Sequence, residues 1–213
     1  VAGVVISKPR QYFYDGCDAQ IASLMEASLE MFRKLGARVI EVDLPDVDSW
    51  NAAATMIISA EAAALHGQWL RTRPQDYSAQ VRARLESGLA IPAPAYIDSL
   101  RLRGVALGEF CDRVFSKVDV LHAPVIGIQT PTIAESDVGG GPKMAALLAQ
   151  ITRLTRPGNF LGVPALSVQA GFTAAGLPVG MQLLGRSFDE ATLFALGHAY
   201  QGATDFHRQV PAL

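Results

Sequence analysis

The first forty-four residues restrict the fold more than any other part of the chain. Residues 1–7 are a short run rich in β-branched side chains, ended by Lys8-Pro9. Such a run reads as a buried strand. Residues 18–35 carry Ile21, Leu24, Met25, Leu29 and Phe32 at helical spacing, which predicts an amphipathic helix. Asp18 suits its N-cap, because a carboxylate accepts from the free amides of a first turn. Gly36 suits its C-cap, because no Cβ opposes a left-handed turn. Residues 38–44 then alternate with period two and stop at Pro45. Strand, helix and strand in this span predict two parallel strands joined by a right-handed crossover.

The rest of the chain extends this α/β beginning. Residues 50–71, 75–89 and 96–117 read as helices, punctuated by Pro74, Pro92 and Pro94. Residues 119–124 read as another short buried strand, and 126–142 as a Pro- and Gly-rich loop. Residues 144–154 are helical, and 155–164 form a turn-rich connection. Residues 165–170 and 177–184 are strands of a hairpin, followed by a last helix at 189–201. The fold class is therefore α/β, a mixed central sheet flanked by helices, with residues 1–213 as one domain. The helices at 18–35 and 144–154 are expected to pack on the sheet, and those between 50 and 117 to form a flanking layer.

Composition excludes several functions. The 18 basic and 20 acidic residues nearly balance, at −2, so no electrostatic footprint for nucleic acid or an anionic membrane exists. Mean hydropathy is high at +0.22, yet no apolar run reaches the roughly 18 residues of a membrane span. The surplus apolar surface must enter a core or an interface. Cys17 and Cys111 lie far apart with no ligand pattern, which suits buried thiols in a reducing compartment, the cytoplasm. The chain opens on Val1 rather than Met, as a piece of a longer protein would.

Motifs for self-contained chemistry are missing. No Gly-x-Ser-x-Gly string is present. Gly139-Gly140-Gly141-Pro142-Lys143 imitates a phosphate loop, but Met144 replaces the hydroxyl and Pro142 lacks an amide donor. His66, His122, His198 and His207 share no metal-ligand spacing. His122 sits on an apolar strand and reads as a satisfied core histidine. Ser7 and Lys8 are strand neighbours and point to opposite faces. No cofactor is implied.

Longer strings carry a resemblance. Residues 155–168, Thr-Arg-Pro-Gly-Asn-Phe-Leu-Gly-Val-Pro-Ala-Leu-Ser-Val, resemble the T-x-P-x-N-x-x-G-x-P-A-x-S-V segment of the amidase signature family. Residues 176–185 resemble its G-L-P-x-G-x-Q-x-x-G hairpin, and Phe188-Asp189-Glu190 the F-x-E helix start. Lys8-Pro9-Arg10-Gln11-Tyr12-Phe13 is similar to its V-P-x-x-Y-F entry. Residues 119–124 are similar to its D-x-L-x-x-P strand, and residues 203–207 with Pro211 to its usual ending. Order and spacing cover essentially the whole chain.

The resemblance implies amide hydrolysis by a Ser–cis-Ser–Lys triad with backbone oxyanion donors. In that family the Gly/Ser-rich loop, the Lys and the nucleophile belong to the N-terminal half, so no catalytic residue is carried onto this chain. What is implied is the C-terminal half of an amidase, silent alone, with its missing half as partner and a small amide as substrate. Its docking face would be broadly apolar. Such a face offers a route to a homodimer or leaves a sheet edge bare. A binding module descended from the fold is the alternative.

The implied substrate-binding residues are Thr155, Asn159 and Phe160, at the turn before a central strand, and Arg84. Asn159 otherwise caps the turn, and Arg84 otherwise occupies a solvated helix face. Gln182 and Ser167 read as structural. The glutamine-using amidotransferase members of the family carry an acidic residue where Thr152 stands here. A neutral hydroxyl supplies no ion pair for an α-amino group, which favours an amidase.

Overall fold

The structure is a computed structural model that describes residues 1–139 and 141–210. Gly140 of the glycine run and Pro211 of the tail motif lie outside the described residues. Strand β1 (Val5–Pro9), helix α1 (Ala19–Lys34) and strand β2 (Arg38–Val42) form the expected βαβ unit. β1 and β2 are parallel, in register from Val5 against Arg38 to Pro9 against Val42. The Asp18 carboxylate caps α1, accepting from the amides of Gln20 and Ile21.

Strand β3 (Val120–Pro124) pairs parallel with β1. Strands β4 (Ala165–Phe172) and β5 (Pro178–Gly185) form the hairpin, and β5 lies antiparallel to β3. The five-stranded mixed sheet has the order β2-β1-β3-β5-β4. Every residue of β3 is buried, as its central place requires. β4, expected as a central strand, is at the sheet edge and among the described residues pairs only with β5.

The intervening helices are α2 (Val47–Thr72), α3 (Ala79–Ser87), α4 (Ala93–Phe110), α5 (Ile133–Ser136), α6 (Pro142–Thr152), α7 (Arg156–Leu161) and α8 (Glu190–Ala203). α4 runs into a π-helical turn at Cys111–Phe115. One face of the sheet is covered by α1 and α8, through Met25, Leu29, Phe32, Leu196 and Tyr200 packed on Ile6, Met181 and Leu183. The other face meets α2, α4 and α7, through Trp50, Phe110, Val114 and Phe160 packed on Leu121, Ala123 and Leu184. This period-two division of β3 and β5 makes a three-layer arrangement.

Several expectations change. Residues 126–142 include a short helix, α5, closed by a reciprocal capping box between Thr132 and Glu135. Residues 155–164 hold helix α7, because Pro157 in a first turn gives up an amide that needs no partner there. α6 does not pack into the core: none of its residues is buried. Its apolar stripe of Met144, Leu147, Leu148 and Ile151 is half-exposed. The thiols are free but not both buried, since Cys17 is half-buried and Cys111 exposed. Apolar side chains are bare on the helical layer, including Ile58, Leu65 and Val105. Among the described residues, no helix is long and apolar enough to cross a membrane.

His122 is a satisfied core histidine. Ser28 Oγ spends its proton on the Met25 carbonyl (2.7 Å), so it accepts from His122 Nε2 (2.8 Å). His122 Nδ1 therefore accepts from the Tyr14 hydroxyl (2.7 Å). Burial first, and Lys8 second, push the imidazole down to about 3. The group is neutral in the fold but binds a proton below about 6.5 once unfolded. Stability must therefore be complete above pH 6.5 and fall as the pH drops from there towards 3, by about 2 kcal/mol at pH 5. Urea midpoints should show this fall in the wild type and a smaller one in His122→Phe, which is itself weaker at neutral pH. Gly88 approaches α2 so closely that a Cβ would sit 2.0 Å from the Ser59 carbonyl. Gly88→Ala should lower the unfolding free energy read from urea denaturation by about 2 kcal/mol.

Candidate functional site

The last carbonyls of α6 have no partner within the helix. Two side chains from distant parts of the chain satisfy the carbonyls that follow it. The Tyr12 hydroxyl donates to the Arg153 carbonyl at 2.7 Å. The buried Gln182 amide donates to the Leu154 carbonyl at 2.8 Å and to the Pro124 carbonyl at 2.9 Å. Gln182 reaches both because β5 sets it beside Ala123 and Ser167, on the face shared with Leu184. The junction between α6 and α7 is thereby tied to the end of β3 and to the loop after β1.

Tyr12 is itself held firmly. Its φ of +69° places it in the left-handed region, where its amide donates to the Asp15 carboxylate at 2.6 Å. Asn51 Nδ2 donates to its hydroxyl at 2.8 Å, and the Arg153 guanidinium lies 4.4 Å from its ring centroid. Burial pushes the phenol up, so it remains a donor. α7 ends at Gly162, whose φ of +72° makes the left-handed cap that turns the chain into β4.

On this frame Thr155 is half-buried just before α7, its hydroxyl donating to the Thr152 carbonyl at 3.3 Å. Asn159 is exposed on α7. Its side chain caps nothing among the described residues; only its main-chain amide is engaged, with the Thr155 carbonyl at 3.4 Å. Phe160 is not on the surface: it is 4% exposed and stacks on Trp50 at 6.4 Å between ring centroids. Arg84 is exposed on α3, while neighbouring Arg82 pairs with Glu86. Asn159 and Phe160 share α7, Thr155 stands at its N-cap, and Arg84 belongs to α3.

Two clefts accompany this frame. One, of about 470 Å³, lies between α2, α7 and the turn after α3, and Arg156 reaches into it beside Asn51, Thr55, Ser59 and Ser87. The other, of about 300 Å³, follows the β4–β5 face and the loop after β3, where the buried Gln169 Nε2 has no partner among the described residues. Neither is lined by Thr155, Asn159, Phe160 or Arg84. The sequence reading missed Arg156, Thr55, Asn51 and the clamp role of Tyr12. Arg156 opens α7 four residues after Thr152, the last residue of α6, and the turn between the two helices brings their side chains together. Reading the segment as a turn hid it.

Among the described residues the one Ser–His contact, Ser28 with His122, is not an active nucleophile pair. Both residues are fully buried, and the Ser28 proton points at the Met25 carbonyl rather than at the imidazole. Among the described residues no three His, Cys, Asp or Glu side chains gather to hold a metal.

The sequence pattern of the Amidase family matches residues 2–194. An amidase of Pseudomonas putida is 33% identical over 215 residues, covering 100% of this chain but 46% of its own length. A Glutamyl-tRNA(Gln) amidotransferase subunit from Chloroflexus aurantiacus is 34% identical over 237 residues, covering 100% of this chain and 47% of its own length. A crystal structure of an amidase superposes with a TM-score of 0.81 at 27% identity, over 95% of this chain and 46% of the other. The chain thus spans about half the length of the relatives it matches.

Replacing Gln182 by Leu would deprive the Pro124 and Leu154 carbonyls of this donor. The expected cost is about 2–3 kcal/mol of unfolding free energy, read from urea denaturation. Hydrogen exchange should rise at residues 153–162 more than in α1.

Proposed function

The chain belongs to the amidase family, and from that premise we propose that it is the C-terminal portion of an enzyme that hydrolyses a carboxylic amide C–N bond. The observation that carries this reading is the family match across residues 2–194, at full coverage of the chain and under half of its relatives. In this reading residues 1–213 are one α/β domain. The serine nucleophile, its Lys-based relay and the oxyanion donors come from the portion of the parent outside it. The nucleophile attacks the amide carbonyl, the amine leaves with a proton, and water releases the acyl group.

Three observations support the incomplete site. Among the described residues no Ser or Cys side chain hydrogen-bonds a Lys; Lys8 pairs with Glu26. β4 leaves one edge of the sheet unpaired among the described residues, which a further strand of the parent continues. The half-exposed stripe of α6 is the second face for that portion.

Thr155 and Asn159, at and on α7, and Arg84, separately on α3, contribute to a substrate-facing wall that the rest of the parent completes, and Phe160 backs α7 through Trp50. The free side chain of Asn159 supports that role better than a capping one. Thr152 supports hydrolysis over glutamine use, because its hydroxyl is engaged by the Leu148 carbonyl and by Arg156 and offers no negative charge. The free thiols support a reducing, cytoplasmic setting.

A fluorophosphonate serine probe followed by intact mass tests the reading. The 213-residue chain should stay unlabelled, whereas the full-length parent should take up one adduct and lose amide hydrolysis. A stoichiometric adduct on the chain alone would overturn it, as would an unlabelled parent that leaves amides intact.

A further inference from the structure

We infer that the cleft between α2 and α7 seats an anionic group on Arg156, and that the amide handled by this protein is a short aliphatic one carrying a carboxylate. Naming the ligand as substrate rests on the amidase reading; the anion site itself does not.

The guanidinium of Arg156 is held from two sides. Nη2 donates to Thr152 Oγ1 at 2.6 Å, and Nη1 donates to Thr55 Oγ1 at 3.3 Å. Both hydroxyls have already committed their protons, Thr152 to the Leu148 carbonyl at 2.7 Å and Thr55 to the Asn51 carbonyl at 2.8 Å. They therefore present only lone pairs to Arg156, and the planar fork is fixed between α2 and the α6–α7 junction. A guanidinium has five N–H donors, so this arrangement leaves others pointing elsewhere.

The charge has no counter-ion within the described residues. No carboxylate among them is within ion-pair distance of Arg156; Arg38, Arg71, Arg84, Arg103, Arg153 and Arg208 share that state among the described residues, but only Arg156 lines this cleft. The other lining residues of the cleft are uncharged. Arg156 is half-buried, and a guanidinium fork held in place suits a carboxylate bidentately. Asn51, Ser59 and Ser87 add neutral hydrogen-bonding groups, while Met56 and Ile91 supply an apolar wall for a short carbon chain. A volume of about 470 Å³ admits a small ligand of that kind.

Succinate serves as a non-hydrolysable probe, titrated calorimetrically into the full-length parent. Wild type should bind it, and Arg156→Met should weaken binding about tenfold or more. Arg156→Lys should fall between them, because a point charge lacks the fork. Arg101→Met, which removes the same charge from an exposed ion pair, should bind like wild type. Ser87→Asp keeps Arg156 but adds a carboxylate to the lining, and should abolish binding even if Arg156→Met folds poorly. Absence of succinate binding in the wild type overturns the inference, as does binding unchanged in Arg156→Met or in Ser87→Asp. Fluorophosphonate labelling of the same parent separates the two readings. Labelling without succinate binding sinks the anion site alone, and succinate binding without labelling sinks only the amidase reading.

Discussion

One side-chain amide joins the sheet to the candidate site. Gln182 stands on β5, inside the core, and its NH₂ group satisfies two carbonyls at once. One belongs to Pro124 at the end of the fully buried strand β3, the other to Leu154 just before α7. A carbonyl left bare in such a place costs more than an ordinary hydrogen bond contributes. The amide therefore sets where the segment carrying Thr155, Arg156, Asn159 and Phe160 begins. Tyr12 performs the same service one residue earlier, from the loop after β1. Two short contacts thus convert the register of β1, β3 and β5 into the position of a helix that pairs with no strand.

Electrostatics divides the molecule in a similar way. Many arginines are exposed and paired, and such pairs contribute little to stability. Arg186 works differently, bridging the Asp119 carboxylate and the Phe115 and Val118 carbonyls, while Asp119 also receives the Val5 amide. That cluster aligns the starts of β1 and β3 with the end of β5. His122, buried between Tyr14 and Ser28, is held neutral and closes a chain of three hydrogen bonds without any role for its charge. Arg156 differs again, a cation oriented by two neutral hydroxyls in a cleft.

Much of this was legible from local pattern. The β-branched run before Lys8, the Ile21-to-Phe32 stripe and the period-two run at 38–44 each depend only on near neighbours, and the βαβ unit follows. Asp18 and Gly36 marked the ends of α1 for the same reason. The segment at 155–164 misled, because Pro157 and Gly158 signal a turn in isolation. In the protein Pro157 occupies a first helical turn, and Gly158 packs against Leu184 across the layer. α6 misled in the opposite sense: its stripe is that of a core helix, yet among the described residues it stays half-exposed.

The sequence by itself determined the α/β class, the crossover, the hairpin and the motifs that mark the family. Those properties rest on periodicity, on the conformational limits of Gly and Pro, and on strings read along the chain. Only the tertiary structure decided that β4 is an edge, that Phe160 is a core residue and that the Asn159 side chain is unengaged among the described residues. It also brought Arg156 against Thr55 across 101 positions of sequence. Which side of a helix meets which strand depends on long-range packing, and no local spacing encodes it.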